Sequence, residues 1–328
     1  MASPTMTSDI HKPLRDDVRL LGELLGNTLK AREGEELFLT VERVRALAKS
    51  ARAGEREDFE RLAGALGGMT VDAALPVARA FAQFLNLANI AEQHHRTRRR
   101  RAYQSSPDRR PQGGSCDETF GRLIKAGVSA EALYDTVRNL RIELVLTAHP
   151  TEIVRRTLLQ KYDRIARALA LKDRPDLTVL EREAAIDTLR REIAACWETD
   201  EIRRTRPTPL DEVRGGLLVF EQSLWHALPR YLRELDRALH AHTGRGLPLD
   251  VSPIRFGSWM GGDRDGNPNV TPEVTRQAIL LGRWMAADLY FREIDALRAE
   301  LSMASCSDEM RAAVGDAGDS HEPYRHVL

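Results

Sequence analysis

The chain has 328 residues, room for one large domain or two ordinary ones. With 42% hydrophobic and 30% charged residues it reads as a soluble globular protein. Its 49 basic side chains balance 49 acidic ones, which argues against broad binding to nucleic acid or to an anionic membrane.

Aromatic residues are scarce while Ala, Leu, Arg and Glu abound, so helices are expected. Cys116, Cys196 and Cys306 lie far apart, form no CxxC pair and are odd in number, which points to reduced thiols in a cytoplasmic setting. The opening "MASPTMTSDIHKPLRDD" lacks the apolar run of a secretory signal. Residues 73–91 are the most membrane-like, yet Arg79, Gln83, Asn86 and Asn89 recur every three or four residues. That polar stripe suits an amphipathic core helix rather than a membrane span.

In chain order, Val18, Leu21, Leu24, Leu25, Thr28 and Leu29 form one face of a first helix. Leu37, Val41, Val44 and Leu47 mark a second, and after a gap a third covers 73–95. "HHRTRRRRAYQSSPDRRPQGGSCDE" then reads as a helix end plus a mobile, solvated Arg-rich loop at about 96–117, preferred to a contact with a phosphate polymer. "IELVLT" at 142–147 is short, carries branched residues and lacks a 3.6 period, so it reads as a strand stopping at His149-Pro150.

The helical period returns from Ile153 through Val154, Leu158, Lys161, Ile165 and Leu169. Another helix spans about 178–203, through Leu180, Ala184, Leu189, Ile193 and Trp197. "TRPTPLDE" resets the chain, and a long helix follows from about Asp211 that Pro229 should kink or divide. Residues 254–260 read as a second strand. Gly261, Gly262, Gly266 and two prolines then build a loop of unusual backbone angles. Thr271-Pro272-Glu273 starts a helix running through Ile279, Trp284 and Leu289 to about Leu301, and Pro323 opens one more turn.

The expected fold is mostly α: the N-terminal part of an α/β (TIM-type) barrel with large helical insertions, of which about two strands are present. Residues 1–141 are the helical region and 142–328 the start of the barrel region. A barrel needs about eight strands, so the chain is expected to be the N-terminal part of a longer protein.

At the end of a barrel strand a side chain faces the rim where barrel active sites lie. Pro150 holds His149 toward extended angles, Thr147 and Thr151 add hydroxyls, and Arg155 and Arg156 fall in the first turns of the next helix. Imidazole moves protons near neutral pH, and guanidinium forks suit phosphate or carboxylate. Together they suit an anionic, phosphorylated substrate, although a turn-capping histidine beside surface arginines fits the same residues. In "GGDRDGNPN", Asp263 and Asp265 miss the spacing of a calcium loop. Asx turns with an internal Asp–Arg–Asp ion network are their expected role, and rim contact through Arg264 the alternative. Trp259, at the strand end, packs in the core or forms the apolar wall of a pocket.

"VLTAHPTEIVRR" and "FGSWMGGDRDGNPNVT" resemble the two strongest blocks of the phosphoenolpyruvate carboxylase family, and "NLANIAEQ", "TRPTPLDE" and "EPYR" resemble further segments in the family's order. The resemblance implies carboxylation of phosphoenolpyruvate by bicarbonate to oxaloacetate and phosphate, with Mg²⁺ or Mn²⁺, in a cytoplasmic homotetramer. It implies a catalytic role for His149 in the breakdown of carboxyphosphate, and a substrate-pocket role for Trp259. It also implies that the metal ligands lie beyond residue 328, so this chain alone is expected to hold no metal and to be inactive. The alternative is a non-catalytic helical scaffold or regulator that kept the family's front end. A phosphatase built on Asp263 and Asp265 is a more distant reading.

Overall fold

A computed structural model describes residues 9–105, 111–147, 155–201, 207–314 and 322–327, which are mostly helical with one small parallel sheet. Helices α1 (Lys12–Glu33), α2 (Glu35–Arg52), α3 (Arg56–Gly67) and α4 (Val71–Gln104) come first. Next are α5 (Cys116–Lys125), α6 (Ala130–Arg138) and strand β1 (Ile142–Leu146). They are followed by α7 (Arg156–Lys172), α8 (Val179–Trp197) and α9 (Pro209–Val219). A π-helical turn (Phe220–Leu224) joins α9 to α10 (Trp225–Thr243), which precedes strand β2 (Ile254–Ser258). The order closes with α11 (Pro272–Glu300), α12 (Asp308–Val314) and α13 (Pro323–Val327).

Three local outcomes differ from the sequence pattern. The gap after the second helix contains α3, which buries none of its residues and so carries little core-facing periodicity to read. Helix α4 continues through Gln104, placing Arg98, Arg99, Arg100 and Arg101 on a helix rather than in a loop. Arginine is a good helix former, and Arg98 is anchored to two carboxylates. Residues 106–110 of the expected loop lie outside the described residues, and α5 already begins at Cys116. Finally, α10 runs unbroken through Pro229. The irregularity sits one turn earlier, where Trp225 N–H reaches back five residues to Phe220 O. Pro229 lacks an N–H for the Trp225 carbonyl and crowds it, and a widened π turn is a common way for a helix to absorb such crowding.

The chain forms two compact units, one from residues 1–109 and 154–203, the other from 110–153 and 204–328. In the first, α1, α4, α7 and α8 bury Leu21, Leu25, Leu29, Leu87, Ile165, Leu169, Leu189, Ile193 and Trp197 in one core. Each such aliphatic side chain contributes about 1.5–3 kcal/mol when fully buried. The polar stripe of α4 is partly turned inward. Arg79 stacks 4.6 Å from the Trp197 ring, donates to the Trp197 carbonyl and reaches Thr199 O at 2.8 Å. Gln83 is buried and donates to Glu201. The Arg79 bond gives the last residue of α8 a donor for a carbonyl that has no partner inside the helix. Trp197 Nε1 in turn donates to Glu33 at 2.9 Å. All three cysteines are free, and burial pushes the Cys196 thiol up to about 12, which makes it unreactive.

In the second unit, Phe120, Leu133, Tyr134 and Val137 from α5 and α6 pack on Leu235 and Leu239 from α10. Strands β1 and β2 pair in parallel, from Ile142 opposite Ile254 to Leu146 opposite Ser258. Phe220 of the π turn meets Phe256 edge-on at 5.1 Å. Thr208 starts α9 with a capping box closed by Asp211, in the "TRPTPLDE" segment. Among the described residues no helix is long and apolar enough to cross a membrane.

Candidate active site

The parallel register brings the C-terminal ends of β1 and β2 side by side. Trp259 N–H donates to Leu146 O at 3.0 Å, extending the ladder one step past the strands. The Trp259 carbonyl then accepts from Gly262 N at 3.0 Å and Asp263 N at 2.9 Å, folding the chain into a tight turn. Within that turn Met260 is buried with its thioether against Gly216, while Trp259 stays 58% exposed. The turn therefore presents an apolar indole at the C-terminal end of the strand pair.

Gly261 makes this geometry possible in two ways. Its φ is 71°, and a Cβ there would lie 2.8 Å from Ala278 Cβ and 2.9 Å from Val213 Cγ2. Beyond it, Asp265 adopts φ 36° and Gly266 φ 76°. Asn267 Oδ1 accepts from Asn269 N at 3.0 Å, an Asx turn just beyond the aspartates where the sequence suggests one. Thr271 caps α11 by accepting from Val274 N at 3.3 Å. The expected Asp–Arg–Asp network does not form. Asp263, Arg264 and Asp265 are exposed and make no ion pair among the described residues. Consecutive residues on a turned backbone diverge, and a contact in water would gain little.

Of the site residues expected from sequence, Trp259 and Arg264 share this loop beside the end of β1. His149 and Thr151 lie outside the described residues. Arg155 and Arg156 belong to the first unit. Arg155 is the N-cap of α7 with no side-chain cap bond, and its guanidinium stands 4.0 Å from Asp200; Arg156 opens the helix and is exposed.

An apolar cavity of about 840 Å³ lies on one face of the strand pair, lined by Leu146, Phe256, Ser258 and Met260 with side chains of the π turn, α10 and α11. On its wall Trp225 meets Tyr290 edge-on at 4.9 Å and donates to Glu293 at 2.9 Å. Nothing in the sequence pattern marked this cavity, because its lining comes from segments far apart in the chain.

The first unit holds a polar cluster that also escaped sequence reading. Asp17 is 1% exposed and accepts from Arg98 at 2.7 Å and Lys172 at 3.1 Å. Arg98 also holds Asp173 at 2.5 Å, and His94 Nε2 lies 3.0 Å from Asp173. Burial pushes the Asp173 carboxyl up, but bonds from Arg98 and His94 outweigh it and hold it below the usual 3.8. Asp17, His94 and Asp173 offer ligand atoms within 4.8 Å of one another. They do not fit a divalent cation, because Arg98 and Lys172 already occupy the carboxylates and would repel it.

The sequence matches the family model for phosphoenolpyruvate carboxylase over residues 14–328. A relative named phosphoenolpyruvate carboxylase from Pseudomonas syringae pv. syringae (strain B728a) is 55% identical over 321 residues, 98% of this chain and 36% of that protein. Relatives of the same name from Marinobacter nauticus (strain ATCC 700491 / DSM 11845 / VT8) and Pseudomonas fluorescens (strain Pf0-1) are each 54% identical over the same shares. The chain thus spans 36% of the length of these relatives.

Proposed function

Because the chain belongs to the phosphoenolpyruvate carboxylase family, we propose that it forms the front portion of an enzyme that carboxylates phosphoenolpyruvate with bicarbonate, yielding oxaloacetate and phosphate. The observation that carries this reading is the Trp259 N–H bond to Leu146 O at 3.0 Å. It fixes an exposed indole beside the end of the strand that leads, three residues on, to His149. An anionic, carbon-nucleophile chemistry needs a proton-moving group near an apolar wall that keeps water from the enolate.

In the proposed reaction bicarbonate attacks the phosphoryl group, giving carboxyphosphate and enolpyruvate. Carboxyphosphate then breaks down to CO₂ and phosphate, and the enolate captures the CO₂. His149 assists that breakdown and holds the phosphate, and Trp259 shields the methylene carbon. Arg155 and Arg156, at the uncapped start of α7, complement a phosphate or carboxylate, as does Arg264 at the rim. Mg²⁺ or Mn²⁺ supports the chemistry from ligands beyond residue 328. Asp17, His94 and Asp173, the one donor cluster among the described residues, do not suit it.

The parallel pair is read as two adjacent strands of a TIM-type barrel, with residues 1–141 as its leading helical region. The whole protein is a cytoplasmic homotetramer that replenishes the citric-acid cycle, and the 328-residue chain by itself is inactive. The test uses the full gene product and follows oxaloacetate by coupled reduction to malate. His149→Asn is expected to abolish bicarbonate-dependent oxaloacetate formation while some phosphate release persists. Undiminished carboxylation in that variant overturns the assignment of His149.

A further inference from the structure

Because β1 and β2 run parallel, both strands begin at the same end of the sheet, where Ile142 N donates to Pro253 O at 2.8 Å. A polar cavity of about 260 Å³ opens there, lined by Arg138, Arg141 and Arg255 together with Asp250, Asn139 and Ser252. Three arginines and one aspartate contribute to this lining, a formal local excess of two positive charges. None of the three arginines makes a hydrogen bond or ion pair among the described residues. Many arginines elsewhere in the chain are paired, as in Arg45 with Glu42 at 2.6 Å and Arg164 with Glu192 at 2.8 Å.

Two other polar residues of the lining already bond the backbone. Asn139 Nδ2 donates to Asp135 O at 2.8 Å, and Ser252 Oγ donates to Ile254 O at 3.2 Å. Glu143 is the register partner of Arg255, yet its carboxylate lies over Gly257 instead. Arg138 sits in the last turn of α6, where a cation favours the helix dipole. That account does not extend to Arg141 or Arg255, which flank strand starts. The cavity lining thus includes three arginines whose guanidinium forks bond nothing among the described residues, the donor type that binds oxyanions in pairs of bonds.

We propose that this cavity is a binding site for a small polyanion bearing phosphate or several carboxylates. Its volume falls below the range of about 300–1,000 Å³ typical of drug-sized ligands, so the ligand is of small-metabolite size. Four residue steps of strand separate this end from the rim at Leu146, roughly 13 Å, so the ligand does not touch Trp259. The site is independent of the carboxylation chemistry.

Isothermal titration of the full gene product tests it, with inorganic pyrophosphate and citrate as separate probes. Wild-type protein is expected to bind at least one of them at this site; pyrophosphate alone identifies a phosphate ligand, and citrate alone a polycarboxylate. Arg141→Gln with Arg255→Gln is expected to remove one binding event or weaken it about a hundredfold, on the order of tenfold per guanidinium. Arg141→Lys with Arg255→Lys retains part of the affinity and controls for folding. Asp250→Asn, which removes the competing carboxylate, tightens binding several-fold. Carboxylation measured without pyrophosphate or citrate stays unchanged in all of these. The proposal is overturned if neither probe binds the wild type, or if the glutamine variant keeps wild-type affinity and stoichiometry.

Discussion

Replacing Asp17 with alanine removes the carboxylate that faces both Arg98 and Lys172. The Asp17 side chain is 2% exposed, while those of the two cations are 22% and 20% exposed. Breaking a fully buried ion pair by deleting one partner costs about 3–5 kcal/mol, mostly through the charge left behind. Here Asp173 remains 2.5 Å from Arg98, and both cations reach water over about a fifth of their surface, so the low end applies. An expected loss of about 3 kcal/mol corresponds to roughly a 150-fold rise in the local opening equilibrium. Amide hydrogen exchange in α1, α4 and α7 reads this directly, because it resolves local from global opening. Protection in α5 and α6, which belong to the other unit, is expected to stay the same. A change below tenfold in α1, α4 and α7 would show that the cluster is a solvated surface network and that its burial has been overweighted.

Two further substitutions separate backbone strain from crowding at the candidate active site. Gly261→Ala meets both a left-handed φ and two close side chains and is expected to cost roughly 2–4 kcal/mol, whereas Gly266→Ala, with φ 76° and nothing within 4 Å, costs roughly 1 kcal/mol. Equal shifts in thermal unfolding for the two would refute the crowding argument. A pH effect arises from His95, which is 4% exposed and whose pKa is held below 6.5, first by burial and then by the Arg98 charge. Below pH 6.5 the unfolded chain takes up a proton that folded His95 resists, so the first unit loses stability as pH falls from 6.5 toward the lowered folded value. His95→Gln flattens that slope in urea unfolding. The Asp173 contribution is separate in pH, being full above 3.8 and lost only as pH falls below that value through the lowered folded pKa.

The features that sequence reading located are the ones that local chemistry dictates. "IELVLT" cannot bury one helical face and ends before a proline, and it is β1. The Gly261–Gly262 pair and Thr271-Pro272 mark a forced turn and a helix start, and the chain makes both there. The Asp17 cluster was hidden because its members at 17, 94, 98, 172 and 173 meet only after α1, α4 and α7 assemble. One signal was present: Asp17 stands four residues before Leu21, on the stripe that α1 buries. A charge on such a stripe needs partners, though not which ones. The inward turn of Arg79 and Gln83 was equally out of reach, since the acceptors they reach, backbone carbonyls for Arg79 and the Glu201 carboxylate for Gln83, lie at and just past the end of a helix more than a hundred residues on.

Burial in this chain does not follow the clarity of the pattern. In β1, Ile142, Leu144 and Val145 are 40%, 48% and 44% exposed. On α11, Ile279, Trp284 and Phe291 are 60%, 60% and 70% exposed, and Leu289 alone is buried. Parallel strands are stable when both faces are covered, and an isolated strand pair is marginal in water. Hydrophobic periodicity records what an element is built to bury, not what covers it. The stability of this chain therefore resides in the α1, α4, α7 and α8 core and in the α5, α6 and α10 cluster. The strands that position Trp259 have little burial behind them. Their rigidity rests on the ladder, on the Leu146–Trp259 bond and on Met260 seated against Gly216, which makes that methionine the anchor of the rim.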